Sequence, residues 1–254
     1  MTSAQEHHQA DAPDVEVSCD RDLRWEGTFN VRDLGGIPTA GGGGTRWGAV
    51  VRSDGIDSLT ADGWAALQAH GIRTIIDLRN EEEVKPSLPR PEGVDLTRVP
   101  LDALVGKEWW DDWGHLDGTP LFFRPHLEFR PHAAAAAVTA VARARPGGVL
   151  VHCGAGRDRT GLVALLLLAL AGVAPEDIAA DYELSSSRLA ALWAHLDRAD
   201  EQTGIDRILA RQGTTAREAL MATLAWFNPD AWLLAAGLGA DDLAAVRDRL
   251  LKTE

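Results

Sequence analysis

The chain has 254 residues and a formal net charge of −13, with 45% hydrophobic and 25% charged residues. This length suits one large α/β domain or two small ones, and the composition is that of a globular protein. The acidic balance argues against general binding of nucleic acid or anionic membranes, because such partners need a basic face. An anionic substrate therefore needs a local cationic pocket. The chain has two cysteines, Cys19 and Cys153, too few for a disulfide framework, which indicates a reducing compartment.

The N-terminal segment is polar and acidic. Residues 1–18 lack the basic and apolar regions of a signal peptide, so we predict a disordered tail before one domain over residues 19–254. The longest apolar run, residues 162–171, is about half the length needed to span a bilayer. It predicts a buried helix and no integral membrane association. We expect a cytoplasmic protein, with export without a signal peptide left open.

Strand and helix signals alternate in the first half of the chain. The glycine-rich residues 39–48 predict a hairpin or loose loop leading into a strand within residues 47–54. A helix is predicted over residues 58–71, with Thr60 or Ser58 as the cap and a glycine as the stop. Two further strands are predicted, a buried one within residues 72–80 and another within residues 94–101.

The second half of the chain is mostly helical. Residues 102–131 carry several tryptophans, phenylalanines and prolines without a clean period, so we interpret them as an insertion or lid. Their aromatic side chains fit plain packing as well as substrate contact. A helix over residues 132–148 and a short strand ending at Cys153 follow, and the pattern is helical from residue 175 onward. Strands separated by helices predict an α/β fold with a parallel sheet, followed by a helical C-terminal part.

One decapeptide, "HCGAGRDRTG" at residues 152–161, carries the reactive groups. It lies between a strand and a helix, where open α/β sheets bind ligands, and it matches neither common nucleotide-binding motif. Its glycines allow a tight turn whose backbone N–H groups, with the positive helix end, would bind a phosphate-sized dianion. The same field favours the thiolate of Cys153.

The side chains of the loop suit phosphoryl transfer. Arg159 offers a planar fork to two phosphate oxygens, and Thr160 is placed to donate a hydrogen bond to the sulfur. We expect His152 to orient the loop rather than act as a base. The alternative, an inert buried thiol beside an ordinary turn, is disfavoured because Arg157, Asp158 and Arg159 would be costly neighbours for it.

The decapeptide resembles the signature of the cysteine-dependent protein tyrosine phosphatases. Four further motifs occur in the order of their bacterial tyrosine/serine phosphatase family: "NVRDLGG" at residues 30–36, "RSD" at 52–54, "IDLR" at 76–79 and "ADYELS" at 180–185. The resemblance implies a protein tyrosine phosphatase-like fold, a parallel or mixed sheet flanked by helices. It also implies a phosphocysteine intermediate, no metal and no cofactor, and substrates that are phosphotyrosine proteins or other phosphomonoesters.

The chain departs from the family pattern at two points. Lipid activity in similar enzymes is associated with a lysine in the loop, where this chain has Arg157. The chain also lacks the Trp-Pro-Asp sequence that supplies the acid in classical members. We expect Asp158 to be the general acid, with Asp77 as the second candidate, although Asp77 could instead pair with an arginine. The third choices are Asp111, Asp112 and Asp117.

The sequence therefore predicts a metal-independent phosphomonoesterase, most closely a protein tyrosine phosphatase, and leaves dual specificity open. The predicted catalytic residues are Cys153, Arg159, Asp158 and Asp77, and the predicted substrate-binding residues are Gly154, Ala155, Gly156, Arg157, Thr160 and His152. Three alternatives stay open: a phosphoinositide phosphatase of the same family, a rhodanese-like sulfurtransferase, and a phosphate-binding module without turnover. The sequence gives no prediction of the oligomeric state.

Overall fold

The computed structural model describes residues 20–102 and 106–251. The predicted tail at residues 1–18, together with Cys19, lies outside the described residues, as do residues 103–105 of the predicted lid.

A five-stranded mixed sheet forms the centre of the fold. Its strands are β1 (Arg32–Asp33), β2 (Val50–Ser53), β3 (Ile72–Asp77), β4 (Asp95–Arg98) and β5 (Gly148–His152). The spatial order is β1-β2-β5-β3-β4, with β1 antiparallel to β2 and the other neighbours parallel. The α/β fold class with a mixed sheet is thus confirmed, and the central strand β5 is the one that leads into the decapeptide.

Alternating side chains of the central strands fill two apolar cores. Val149 and Val151 of β5 belong to the larger core, whereas Leu150 packs into the core on the opposite face. The same alternation divides Val50 from Val51 in β2. Both faces of the sheet are covered, which explains why these strands read as continuous apolar runs in the sequence.

Ten α-helices lie within the described residues. They are α1 (Ala61–Ala69), α2 (Lys107–Trp113), α3 (Phe123–Phe129), α4 (Pro131–Arg143), α5 (Asp158–Leu170), α6 (Pro175–His195), α7 (Gln202–Arg211), α8 (Ala216–Trp226), α9 (Pro229–Ala235) and α10 (Ala240–Leu250). The Thr60 side chain caps α1 by accepting a hydrogen bond from the Gly63 N–H, as predicted. The C-terminal part is helical throughout, also as predicted.

Helix α5 is the buried helix that the apolar run predicts. Nearly every residue from Thr160 to Leu170 is buried, and α5 packs against β5, α4 and α6. Burial on all sides fixes the helix axis, so the N-terminus at Asp158 is held in place at the end of the loop. Within residues 20–102 and 106–251, no helix is both long and apolar enough to cross a membrane.

The segment predicted as an insertion or lid forms short helices in its described part. It contains α2, α3 and two 3-10 helices, Gly114–Leu116 and Pro120–Phe122. Its aromatic side chains pack on each other, with Trp109 and Phe122 at 5.6 Å between ring centroids. These contacts bear out plain packing for Trp109, whereas Trp110 also faces the cavity described below.

Candidate active site

A cavity of about 640 Å³ opens at the carboxyl ends of β3 and β5. Cys153 lies immediately after β5, is almost fully buried, and lines this cavity as a free thiol. The loop residues Gly154, Ala155, Arg157, Asp158 and Arg159 line it as well. The structure therefore brings together the thiol, the loop backbone and both arginines, as the decapeptide predicts.

Three consecutive carbonyl oxygens of the loop accept hydrogen bonds from the N-terminal part of the chain. The donors are the Gly55 N–H to Gly154 at 2.7 Å, the Asn30 Nδ2 to Ala155 at 3.0 Å, and the Arg52 Nη2 to Gly156 at 2.7 Å. Because the N–H of a peptide group points opposite to its carbonyl, the N–H groups of this stretch face the cavity. The loop backbone is thus arranged to bind an anion beside Cys153.

Asp54 fixes the turn that presents Asn30 to the loop. Its carboxylate accepts hydrogen bonds from the backbone N–H groups of Phe29, at 3.0 Å, and Asn30, at 2.9 Å. Burial raises the pKa of Asp54 to about 6, against the lowering effect of these hydrogen bonds. The "NVRDLGG" and "RSD" motifs therefore act together behind the loop.

A buried ion cluster supports Arg52. Asp181, from the "ADYELS" motif, pairs with Arg32 at 3.0 Å and with Arg52 at 2.7 Å, and Arg21 also binds it. Burial alone would raise the pKa of Asp181, but the surrounding guanidinium groups hold it well below its usual range. The cluster keeps positive charge behind the loop, on the side away from the cavity.

Gly156 occupies a position that requires glycine. Its φ is +69°, and a Cβ there would lie 2.4 Å from the Ser53 carbonyl oxygen. A side chain would push the loop away from β2 and break the hydrogen bond to Arg52.

Arg159 is held in place by two carboxylates. Its Nη1 and Nη2 donate to the Oε1 and Oε2 of Glu83 at 2.5 and 2.6 Å, and its Nε lies 3.4 Å from Asp102. Burial alone would lower the pKa of Arg159, but Glu83 and the nearby charges of Cys153 and Asp102 raise it above its usual value. Each Nη keeps a second N–H, so the guanidinium still has donors for phosphate oxygens.

Asp77 has partners that favour its structural role. Its carboxylate accepts hydrogen bonds from the Arg79 Nε at 3.0 Å and lies 3.4 Å from the Arg98 Nη2, and it does not line the cavity. Burial would raise the pKa of Asp77, but the hydrogen bonds from Arg79 and the neighbouring charges lower it overall. A carboxyl held ionised outside the cavity lining is poorly placed to donate a proton, so these contacts favour the alternative that Asp77 pairs with an arginine.

His152 and Thr160 lie behind the loop rather than on the cavity wall. Burial lowers the pKa of His152 to about 4, so the ring is neutral, and its Nδ1 lies 3.1 Å from the Cys153 carbonyl oxygen. The Thr160 hydroxyl is buried without a hydrogen-bond partner among the described residues. The predicted hydrogen bond from Thr160 to the sulfur is therefore not formed in this structure. Like these two residues, Gly156 does not line the cavity.

Asp158 lies on the cavity wall at the start of α5. Arg157 contacts it through its Nε at 3.2 Å, and also approaches Glu201 at 3.5 Å, which ties the loop to the residue before α7. Burial and the nearby charge of Asp158 raise the pKa of the Tyr182 phenol above its usual value. Asp158 thus faces the substrate space in a crowded, partly desolvated environment.

Asp117 also lines the cavity, unlike the other two aspartates of the lid segment, Asp111 and Asp112. Partial desolvation in the cleft, together with the charge of Asp158, raises its pKa above the usual range. Among the described residues, no lysine or arginine forms an ion pair with it. Two carboxyl groups, Asp117 and Asp158, therefore line the cavity that contains Cys153.

Sequence reasoning missed Glu83, Asp102 and Glu201. Glu83 lies in a run of three glutamates after β3, and the run alone does not indicate which of them faces Arg159. Asn30 was noted only as part of a motif, without a role. Across residues 20–102 and 106–251, no group of three or more histidine, cysteine or acidic side chains is arranged to hold a metal ion.

The fold and the cysteine-centred loop define a phosphatase-like α/β protein. The model of the tyrosine phosphatase family matches residues 23–252, and the chain belongs to this family. It is 33% identical over 181 residues to a protein of Cupriavidus necator named as a tyrosine-protein phosphatase, with 66% of this chain and 64% of that protein covered. It is 29% identical to the triple specificity protein phosphatase PtpB of Mycobacterium tuberculosis, with 89% of this chain and 88% of PtpB covered.

A third relative matches a smaller part of the chain, and a solved structure shares a smaller fraction of identical residues with it. The tyrosine-protein phosphatase of Nostoc commune is 33% identical over 148 residues, which cover 56% of this chain and 49% of that protein. The chain thus spans about two thirds of the Cupriavidus relative and about half of the Nostoc one. The crystal structure of a cysteine-to-serine variant of TpbA from P. aeruginosa with phosphotyrosine aligns at a TM-score of 0.35 and 17% identity, covering 75% of this chain and 86% of TpbA.

Proposed function

We propose that the protein is a metal-independent phosphomonoesterase that removes phosphate from phosphotyrosine through a phosphocysteine intermediate. The observation that carries the proposal is the position of Cys153, on the cavity floor, among inward-facing loop N–H groups and close to Arg159. Neither a sulfurtransferase nor a binding module without turnover is favoured by a specific contact in the site.

In the first step, the Cys153 thiolate attacks phosphorus and the bond to the leaving oxygen breaks. The loop N–H groups and Arg159 stabilise the charge on the three equatorial oxygens. Asp158 donates a proton to the leaving oxygen, which takes the bonding electron pair. In the second step, water attacks phosphorus, the same carboxylate takes the proton of the water, and the sulfur leaves as a thiolate.

Asp158 is our first candidate for the acid because it is the aspartate of the loop itself and lines the cavity. Asp117 replaces Asp77 as the second candidate, since it faces the cavity and its pKa is raised. A carboxyl whose pKa lies above the usual range holds its proton closer to neutral pH, as a general acid requires.

The test is phosphate release from aryl phosphate and from phosphotyrosine, phosphoserine and phosphothreonine peptides, with Cys153→Ser as the matched variant. The last two peptides are included because one relative is named a triple specificity phosphatase. We expect release by the native protein and none by the variant. Equal rates for the two proteins would contradict the proposal, and thiosulfate turnover without phosphate release would favour sulfur transfer.

A further inference from the structure

The cavity above Cys153 is acidic although it must bind an anion. Among the described residues that line it, seven side chains are carboxylates and five are lysines or arginines. The six carboxylates outside the loop are Asp57, Glu82, Glu83, Asp102, Asp117 and Glu201. The positive charge available to a substrate is therefore concentrated at the loop, and the surrounding walls are negative.

Most of the cations are already paired with carboxylates of the same wall. The pairs are Arg79 with Asp57, Arg157 with Asp158 and Glu201, Arg159 with Glu83 and Asp102, and Arg198 with Glu201. Lys85 is exposed and forms no ion pair within the described part of the chain. Beyond the loop, Lys85 is the one lysine or arginine of the described cavity lining that is not already paired with a carboxylate and could compensate a second phosphate.

The rest of the wall is aromatic and apolar. Trp110 stacks on Phe122, with ring centroids 6.0 Å apart and planes 18° apart, and Trp193 and Phe123 line the same cavity. Arg198 covers the Trp193 ring at 4.9 Å from its centroid. Trp193, Phe122 and Phe123 are buried, whereas Trp110 is 41% exposed. An apolar wall with an exposed indole suits the ring of an aryl phosphate better than a hydrated polar headgroup.

From this charge arrangement we infer that the site selects a single aryl phosphate on a peptide with basic or neutral flanking residues. A substrate with further anionic groups would bring them against the rim carboxylates, where repulsion lowers its capture and binding. Basic flanking side chains would instead meet Glu82 and Asp117, which line the cavity and form no ion pair with a lysine or arginine within the described residues. This inference rests on the proposed phosphatase function and restricts it to one substrate class.

The experiment compares three substrates with the full chain at low and high salt. Two are phosphotyrosine peptides of equal length, one with lysine flanks and one with glutamate flanks, and the third is a short-chain phosphatidylinositol phosphate. At low salt we expect kcat/KM for the lysine peptide to exceed that for the glutamate peptide by about fivefold or more. The ratio should approach one at high salt, because salt screens exposed charges.

A charge reversal at the rim links the preference to this wall. Glu82→Lys changes an exposed cavity glutamate, whereas Glu92→Lys changes an exposed glutamate that does not line the cavity. We expect Glu82→Lys to reduce the lysine-over-glutamate preference at least about twofold, and Glu92→Lys to leave it unchanged.

The outcomes separate this inference from the proposed function. An equal or reversed peptide preference at low salt, or faster turnover of the lipid than of the lysine peptide, would contradict the substrate inference alone. Equal effects of the two charge reversals would also contradict it, because the preference would then not arise at the rim. Absence of phosphate release from all three substrates would contradict the phosphatase proposal itself.

Discussion

The floor and the rim of the cavity are built in different ways. At the floor, successive loop carbonyls are held by Gly55, Asn30 and Arg52, and the supporting side chains are fully buried. At the rim, Glu82 and Lys85 are exposed and Glu201 is partly exposed. The floor therefore has one geometry suited to phosphoryl transfer, while the rim offers charges that can change without altering that geometry. Substitutions at the two places should accordingly affect rate and substrate choice separately.

The largest effect is expected from the guanidinium on the floor. Arg159→Lys keeps a positive charge but loses the planar fork that Glu83 and a phosphate would share. We expect kcat/KM for an aryl phosphate to fall by about 10³-fold, measured by phosphate release. Glu83→Gln should cost about tenfold, since it weakens the positioning of Arg159 without removing it. A smaller loss for Arg159→Lys than for Glu83→Gln would contradict the assigned roles.

The second effect concerns the acid at the border between floor and rim. Asp158→Asn should lower kcat/KM for phosphoserine peptides by about 100-fold, because an alkoxide leaving group needs a proton. The loss should be much smaller for an aryl phosphate whose phenol is acidic, because that phenolate leaves without being protonated. Asp117→Asn is the matched comparison, with an expected loss of about tenfold on the same poor leaving group. If Asp117→Asn has the larger leaving-group dependence, the acid is Asp117.

A smaller effect is expected behind the loop. Asn30→Asp keeps the oxygen that accepts the Arg32 hydrogen bond, 2.6 Å in this structure, but removes the donor to the Ala155 carbonyl. We expect kcat/KM to fall by about tenfold and alkylation of Cys153 at neutral pH to slow, because the loop N–H groups lose their orientation. The control is Asn228→Asp, which keeps an acceptor for the Ala231 N–H at the start of α9, far from the loop. Equal effects of the two changes would exclude a role of Asn30 in the loop.

The last effect concerns stability rather than activity, as a dependence of the free energy of unfolding on pH. Burial holds the pKa of His152 at about 4, whereas the unfolded chain binds this proton near pH 6.5. The neutral His152 ring makes its full contribution to the free energy of unfolding above pH 6.5. About 3 kcal/mol of this contribution is lost as the pH falls from 6.5 to 4. The free energies of unfolding of the native protein and His152→Gln should therefore converge over this range in denaturant titrations. A constant difference would mean that the ring is protonated in the folded protein.

Local patterns were enough to predict four of the five strands, the buried helix and the loop, whereas the two-residue β1 was not predicted. The spacing of Cys153 and Arg159 lies within one decapeptide, and the apolar run predicts burial of α5 because the side chains that pack are themselves the signal. A parallel or mixed sheet flanked by helices followed from the family resemblance, and the sheet of the structure is mixed. The order of its strands was not predicted.

Partners distant along the chain could not be predicted in the same way. Asn30 and Ala155 are 125 positions apart, and Glu83 and Arg159 are 76 positions apart. Their contact depends on how the N-terminal segment and the turn after β3 approach the loop. The local spacing of apolar and polar residues in the sequence contains no information about that approach. The same reason explains why the role of Asp77 stayed open between general acid and ion-pair partner: its pairing with Arg79 and Arg98 is a property of the folded sheet.

The central claim is that Cys153 carries the phosphoryl group between the two steps. The most direct measurement is acid quenching during turnover of an aryl phosphate, followed by mass spectrometry of the peptide that contains residues 149–157. We expect one phosphoryl group on Cys153 in the native protein, and a larger trapped fraction in Asp158→Asn if that carboxylate activates the water. The claim would be contradicted if Cys153 stayed unmodified during turnover by the native protein. Undiminished activity of Cys153→Ser would contradict it as well.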